Sequence, residues 1–187
     1  MAARTGRWWL TSDSQQIVMN ADPGQVYDLV SDLPRMGEWS PECERVEWAG
    51  GGAVATEGAR FVGHNRGGPF GLMRWSRRGR VLAADRGREF AFVTEEGGRE
   101  STVWRYRFEP AEGGTRVTES YEVRWIPAWA RIIDVPANRH RELREAMSHT
   151  LRRLRAAAET PAGAPGRRAA GERRSRPCPA RHRPARG

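Results

Sequence analysis

A carboxylate on an apolar strand face is the first feature of this 187-residue sequence that points to chemistry. Glu119 alternates with Val117, Tyr121 and Val123, while Thr118, Ser120 and Glu122 fall between them. Period-two alternation puts the first set on one side of a β-strand. A carboxylate buried there loses its hydration, so its pKa rises unless an arginine pairs with it. A carboxyl group poised near neutrality suits general acid/base work, such as an enolisation. The same group can close a structural ion pair or hydrogen bond, and the spacing leaves both readings open.

Other residues on apolar faces fit a site around it. Asn65 shares a face with Phe61, where its amide meets either a ligand carbonyl or a neighbouring loop or strand. Tyr106 and Tyr121 combine a flat apolar body with one polar tip, and Trp75 and Trp104 offer broad apolar surface. Phe90 and Phe92 share a face of one strand. Each of these aromatic residues suits a ligand wall, and each suits a core. His64, adjacent to Asn65, points the other way. His140 and His149 stand nine apart on a helix, with no Cys or acid at ligand spacing beside them, so no metal site or other cofactor is expected. Gly67-Gly68-Pro69-Phe70-Gly71 lacks the Lys-Ser/Thr of a phosphate loop and reads as a lip between two strands. There is no HExxH and no G-x-S-x-G.

The elements that position these residues follow from periodicity. Gln15 to Ala21 reads as a strand. Asp22-Pro23-Gly24-Gln25 then supplies an N-cap, a proline at the first helical position and a Gln placed to close a capping box. Val26, Leu29 and Val30 continue that helix, which Pro34 ends near Asp32, and Leu33 to Trp39 forms a second short turn. From Glu42 the period becomes two. Strands are expected around Cys43 to Trp48, at Arg60–Asn65, Leu72–Ala84, Glu89–Thr94 and Thr102–Phe108, and after the Glu112-Gly113-Gly114 turn. Leu143, Met147, Leu151 and Leu154 then mark an amphipathic helix from about Val135 to Ala158. Its apolar stripe needs a partner, and the meander's apolar face is the one available.

Composition sets the outer bounds. Apolar residues make up 38%, with eight Trp and five Phe, enough for one core despite a mean hydropathy of −0.75. The net charge of +9 is uneven: residues 160–187 hold eight Arg and one acid, so the rest of the chain carries about +2. A dedicated nucleic-acid site in the domain is therefore not expected. Two cysteines, Cys43 and Cys178, make no CxxC pattern, and no apolar run suits a signal peptide or a membrane span, so a reducing, cytoplasmic setting is expected. The expected division is a domain over 11–158 and a disordered Arg/Pro/Ala/Gly-rich tail over 159–187 that could contact acidic partners.

The wording of the chain adds a resemblance. VYDLVSDLPRMGEWSPECERVEW, GARFVGHNR, GREFAFVTEEGG, TVWRYRFEP and GGTRVTESYEV resemble actinobacterial members of the SRPBCC (START-like) superfamily, in its polyketide cyclase/dehydrase and lipid-transport branch, over about Thr11 to Ala158. The resemblance implies an α+β helix-grip fold: about seven curved antiparallel strands around a long C-terminal helix, with two short helices after the first strand. It also implies an internal cavity for a hydrophobic small molecule such as a lipid or polyketide. Phe61, Asn65, Trp75, Phe90 and Phe92 are expected on its wall, together with Trp104, Tyr106, Tyr121, Met147 and Leu151. Two alternatives stand beside binding: a cyclase/dehydratase using Glu119 for proton transfer, and a partner-binding protein acting through the basic tail.

Overall fold

Strand pairing, more than local propensity, sets where the first element begins. The computed structural model describes residues 12–50, 54–68, 71–127 and 139–160. The first strand, β1, runs Ser12–Met19, starting earlier than its alternation predicts and ending two residues short of Ala21. The polar Ser12-Asp13-Ser14 stretch is held in the sheet because it pairs antiparallel with Tyr121 and its neighbours: Ser12 opposes Glu122 and Ser14 opposes Ser120.

Helix α1, Pro23–Ser31, is capped as its sequence predicts, with the Asp22 carboxylate accepting from the Gly24 amide at 2.8 Å. The capping box does not form. Gln25 instead donates to the Ala158 carbonyl at 3.2 Å, which fastens α1 to the C-terminal end of the last helix. A 3-10 helix, Leu33–Glu38, follows.

The meander then runs β2 (Cys43–Trp48), β3 (Arg60–Gly67), β4 (Met73–Asp85), β5 (Glu89–Glu96), β6 (Arg99–Ala111) and β7 (Gly114–Val123). All neighbours are antiparallel, in the order β1-β7-β6-β5-β4-β3-β2. The β5–β6 turn is a two-residue loop, Gly97-Gly98, with φ of 57° and 76°; the left-handed geometry of such a loop favours glycine at both positions. The last helix, α2, is described over Arg139–Ala158; its expected start at Val135 and the expected tail lie outside the described residues.

Helices α1 and α2 and the 3-10 helix cover one face of this seven-stranded sheet, the inner face, which is the helix-grip arrangement. On α2, Met147, Thr150, Leu151, Leu154 and Ala158 turn inward, close to the stripe read from the sequence. The core is a chain of rings in edge or tilted contact. Trp48 meets Phe61, Phe61 meets Phe92, Phe92 meets Phe90, and Tyr27 bridges Phe90 to Phe108. Among the described residues, no helix is long and apolar enough to cross a membrane.

Candidate functional site

Three cross-strand rows build the inner face around Glu119. The deepest holds Phe90, Tyr106, Glu119 and Gln15, each opposite the next across β5, β6, β7 and β1. The next holds Phe92, Trp104, Tyr121 and Asp13, and beyond it Thr94, Thr102 and Val123. Exposure rises along the series. Phe90, Tyr106 and Glu119 are buried, Trp104 is half-buried, and all three members of the third row are half-buried. Phe92 and Tyr121 of the second row are buried as well, so the Glu119 row is a covered floor and the cover thins mainly at Trp104 and the third row.

Glu119 stands on that floor at 3% exposure. Tyr106 donates its hydroxyl hydrogen to Glu119 Oε1 at 2.8 Å, while Oε2 is buried with no partner among the described residues. Gln15, its lateral neighbour, is turned to other tasks: its Oε1 accepts from Ser148 and its amide donates to the Ser14 carbonyl. Burial pushes the Glu119 carboxyl up to about 8, and the Tyr106 hydrogen bond only partly offsets this. The Tyr106 phenol is held well above its ordinary range by burial and by the adjacent Glu119. Burial also pushes the Cys43 thiol up to about 11, and Cys43 is near enough to act on Tyr106 electrostatically. At neutral pH the floor therefore favours a protonated, uncharged Glu119 and Tyr106.

A second polar cluster ties the start of α2 to the sheet. The Tyr121 hydroxyl is 3.0 Å from His140 Nδ1, and His140 Nε2 is 3.7 Å from Asp13 Oδ2. Arg144 donates to the same Asp13 oxygen at 2.8 Å. Nearby, Arg139 grips Glu42 through both guanidinium nitrogens, the Nη2–Oε2 arm measuring 2.7 Å. Sequence reasoning missed Arg139, Glu42 and Asp13, and it weighed His140 only as a metal ligand. Nothing in the local pattern marks a pairing between residues 97 apart.

The expected wall residues divide by environment. Phe61, Phe90, Phe92, Tyr106 and Leu151 belong to the contiguous core, and Trp104 packs against its edge. Tyr121 and Met147 are buried outside that cluster, with the Trp104 and Tyr121 rings 5.6 Å apart. Asn65 and Trp75 oppose each other on β3 and β4, both half-buried, on strands that do not pair with β7. The Asn65 amide donates to the Gly63 carbonyl at 3.4 Å, and the Trp75 ring lies over Gly67. His64 turns to the outer face, as alternation requires, where it meets Ser76 at 2.9 Å. A hollow of about 340 Å³ opens along β1, β7 and β6, where Asp13 and Tyr121 line it together with Ser12, Ser14, Val103 and Ser120.

Comparison with known proteins identifies the chain's relatives. The sequence profile of the family described as "Polyketide cyclase / dehydrase and lipid transport" matches residues 12–159. The chain is similar to the Polyketide_cyc-like protein Cgl2372 from Corynebacterium glutamicum, with 30% identity over 79% of this chain and 90% of that one, and a TM-score of 0.52. Protein CV1439 from Chromobacterium violaceum is 17% identical over 81% of this chain and 99% of its own, with a TM-score of 0.59. The di-domain ARO/CYC StfQ from the steffimycin biosynthetic pathway reaches a TM-score of 0.64 at 14% identity, covering 80% of this chain and 50% of StfQ. At such identities the last two likenesses establish the fold alone. No curated protein matches the sequence. The profile match runs from β1 to the end of α2 and the Corynebacterium relative covers most of the same span, so the chain belongs to the polyketide cyclase/dehydrase and lipid transport family.

Proposed function

We propose that the chain binds a hydrophobic small molecule, a lipid or polyketide-like compound, between the inner face of the sheet and α2. The observation that carries this reading is a single unpartnered carboxyl oxygen, Glu119 Oε2, set among buried aromatic side chains. A buried polar atom without a partner costs about 1–3 kcal/mol, and a ligand that hydrogen-bonds to it recovers that cost. Pockets of this kind combine an apolar wall with a few polar anchors. Half-buried Trp104 offers the wall a flat surface between the Glu119 row and the third row. The family description, with its lipid transport and its cyclases, fits such a ligand.

Native mass spectrometry of the full chain, with extraction of what co-purifies, tests the reading. The expected result is a bound hydrophobic species at near-unit stoichiometry that is lost in Trp104→Ala. An empty protein that gains no thermal stability from a panel of lipids and polyketides would overturn it.

A second reading rests on the Tyr106–Glu119 hydrogen bond. A carboxyl raised to about 8 beside a phenol suits proton transfer to a bound polyketide, which is what a cyclase or dehydratase requires. Turnover of a poly-β-ketone probe by the wild type and its absence in Glu119→Gln would favour this reading over simple carriage.

A further inference from the structure

Building on the reading that the inner face binds a hydrophobic small molecule, we propose that this ligand is uncharged and presents an oxygen acceptor, the oxygen of a ketone, ester or hydroxyl group, to a hydrogen bond donated by the Glu119 carboxyl group.

The two oxygens of that carboxyl group are not equivalent. The Tyr106 hydroxyl donates to Oε1, so a proton held by the carboxyl group resides on Oε2, the oxygen with no partner. Whether the group holds that proton depends on nearby cations. The arginines that approach the inner face are committed elsewhere: Arg77 to Glu96 at 3.0 Å, Arg139 to Glu42, and Arg144 to Asp13 at 2.8 Å. Among the described residues none forms an ion pair with Glu119. An unpaired carboxylate at 3% exposure is far costlier than the neutral acid, so the group stays protonated. The rise of its pKa by burial has the same sign. A protonated Oε2 is a donor, and what it lacks is an acceptor.

The same surroundings decide what the ligand is not. A carboxylate or phosphate headgroup brought to this floor would be a buried anion without a cation, beside a phenol that is itself neutral. The acceptor must also be carried on an apolar body. Glu119 lies one row deeper than Trp104 and Tyr121 and two rows deeper than Thr94, Thr102 and Val123, so whatever reaches Oε2 extends past those rings.

Isothermal titration of the full chain at neutral pH tests the proposal with four probes of one chain length, delivered from cyclodextrin: methyl hexadecanoate, hexadecanol, hexadecanoate and hexadecane. The ester and alcohol should bind about tenfold or more tighter than the alkane and the carboxylate. Glu119→Leu should erase that advantage, and Glu119→Gln, whose amide still donates, should keep most of it. Carboxylate binding as tight as the ester, or an ester advantage that survives in Glu119→Leu, would overturn the proposal while leaving the binding reading in place. Failure of all four probes in the wild type would overturn both. A ligand-free check runs in parallel. The infrared difference between wild type and Glu119→Gln should show a protonated carboxyl band at neutral pH, and a carboxylate band in its place would overturn the assignment.

Discussion

The Phe61 ring occupies the place that a side chain at Gly79 would take on the neighbouring strand. A Cβ built on Gly79 would stand 2.3 Å from the ring's Cζ and within 2.8 Å of two more of its carbons. The ring has little room to yield, since it is buried against Trp48 and Phe92, with centroids 6.2 and 5.5 Å away. Gly79→Val should therefore overpack the inner face and cost about 1–3 kcal/mol in urea denaturation. Phe61→Ala alone should cost about 3–5 kcal/mol. Combined, the two changes should cost clearly less than their sum, because each relieves the clash or cavity made by the other. Additive losses would show that the ring does not depend on the glycine.

Glu119 gives the molecule a pH dependence with a defined sign. Its pKa rises from 4.5 to about 8 on folding, so the folded state binds more protons than the unfolded state between those values. Its stability contribution is thus fully present below about pH 4.5 and is lost as pH rises through about 8. Glu119→Gln removes the titration. Measured from pH 5 to pH 9, the stability of the variant should gain on the wild type by roughly 4 kcal/mol, since each tenfold change in proton affinity is worth about 1.4 kcal/mol. Tyr106→Phe removes the hydrogen bond that lowers the pKa, so the wild-type midpoint should move up in that variant. A flat difference curve for Glu119→Gln would show that the carboxyl is hydrated in solution.

The anomaly at Glu119 was legible in the sequence because alternation is a local signal: a carboxylate alternating with Val117 and Tyr121 shares their face unless a bulge intervenes, and β7 pairs with β6 without one. The strands and the α2 stripe were legible for the same reason. What was not legible depends on tertiary pairing. The Ser12 to Ser14 segment is polar and becomes a strand only because β7 lies beside it. Gln25 had a correct local partner available, yet the end of α2 offered it a free carbonyl. Arg139 is one of 32 basic residues, and nothing distinguishes it until the fold brings Glu42 alongside.

Core and wall separate by mutation. Phe90 is fully buried and touches both Tyr27 and Phe92, so Phe90→Ala should lose about 3–5 kcal/mol of stability. Trp104 is half-buried, and its ring contact is with Tyr121. Trp104→Ala should cost less than half as much in thermal denaturation, yet weaken binding of a hydrophobic probe about tenfold or more. Equal stability losses, with binding unaffected by the Trp104 change, would return Trp104 to the core.

The Arg139–Glu42 pair provides a test of how α2 is anchored. Both side chains are about three-quarters covered, at 28% and 26% exposure. Burial pulls the Arg139 pKa down, but the hydrogen bonds and charge of Glu42 outweigh it and hold the guanidinium above its ordinary range. Arg141, two residues on, pairs with Glu145 at 2.8 Å with both side chains largely in water, at 72% and 65% exposure. Screening and side-chain entropy leave such a surface pair with about 0.5 kcal/mol or less. Arg139→Ala strands a half-buried carboxylate and should cost about 1–3 kcal/mol, whereas Arg141→Ala should change little. Added salt separates the two pairs as well, since solvent-exposed charges are screened far more than covered ones. A double-mutant cycle of Arg139→Ala with Glu42→Ala should return a coupling of about 1 kcal/mol or more. A coupling near zero would mean that apolar contacts of Met147, Leu151 and Leu154 hold α2 without help from its charged end.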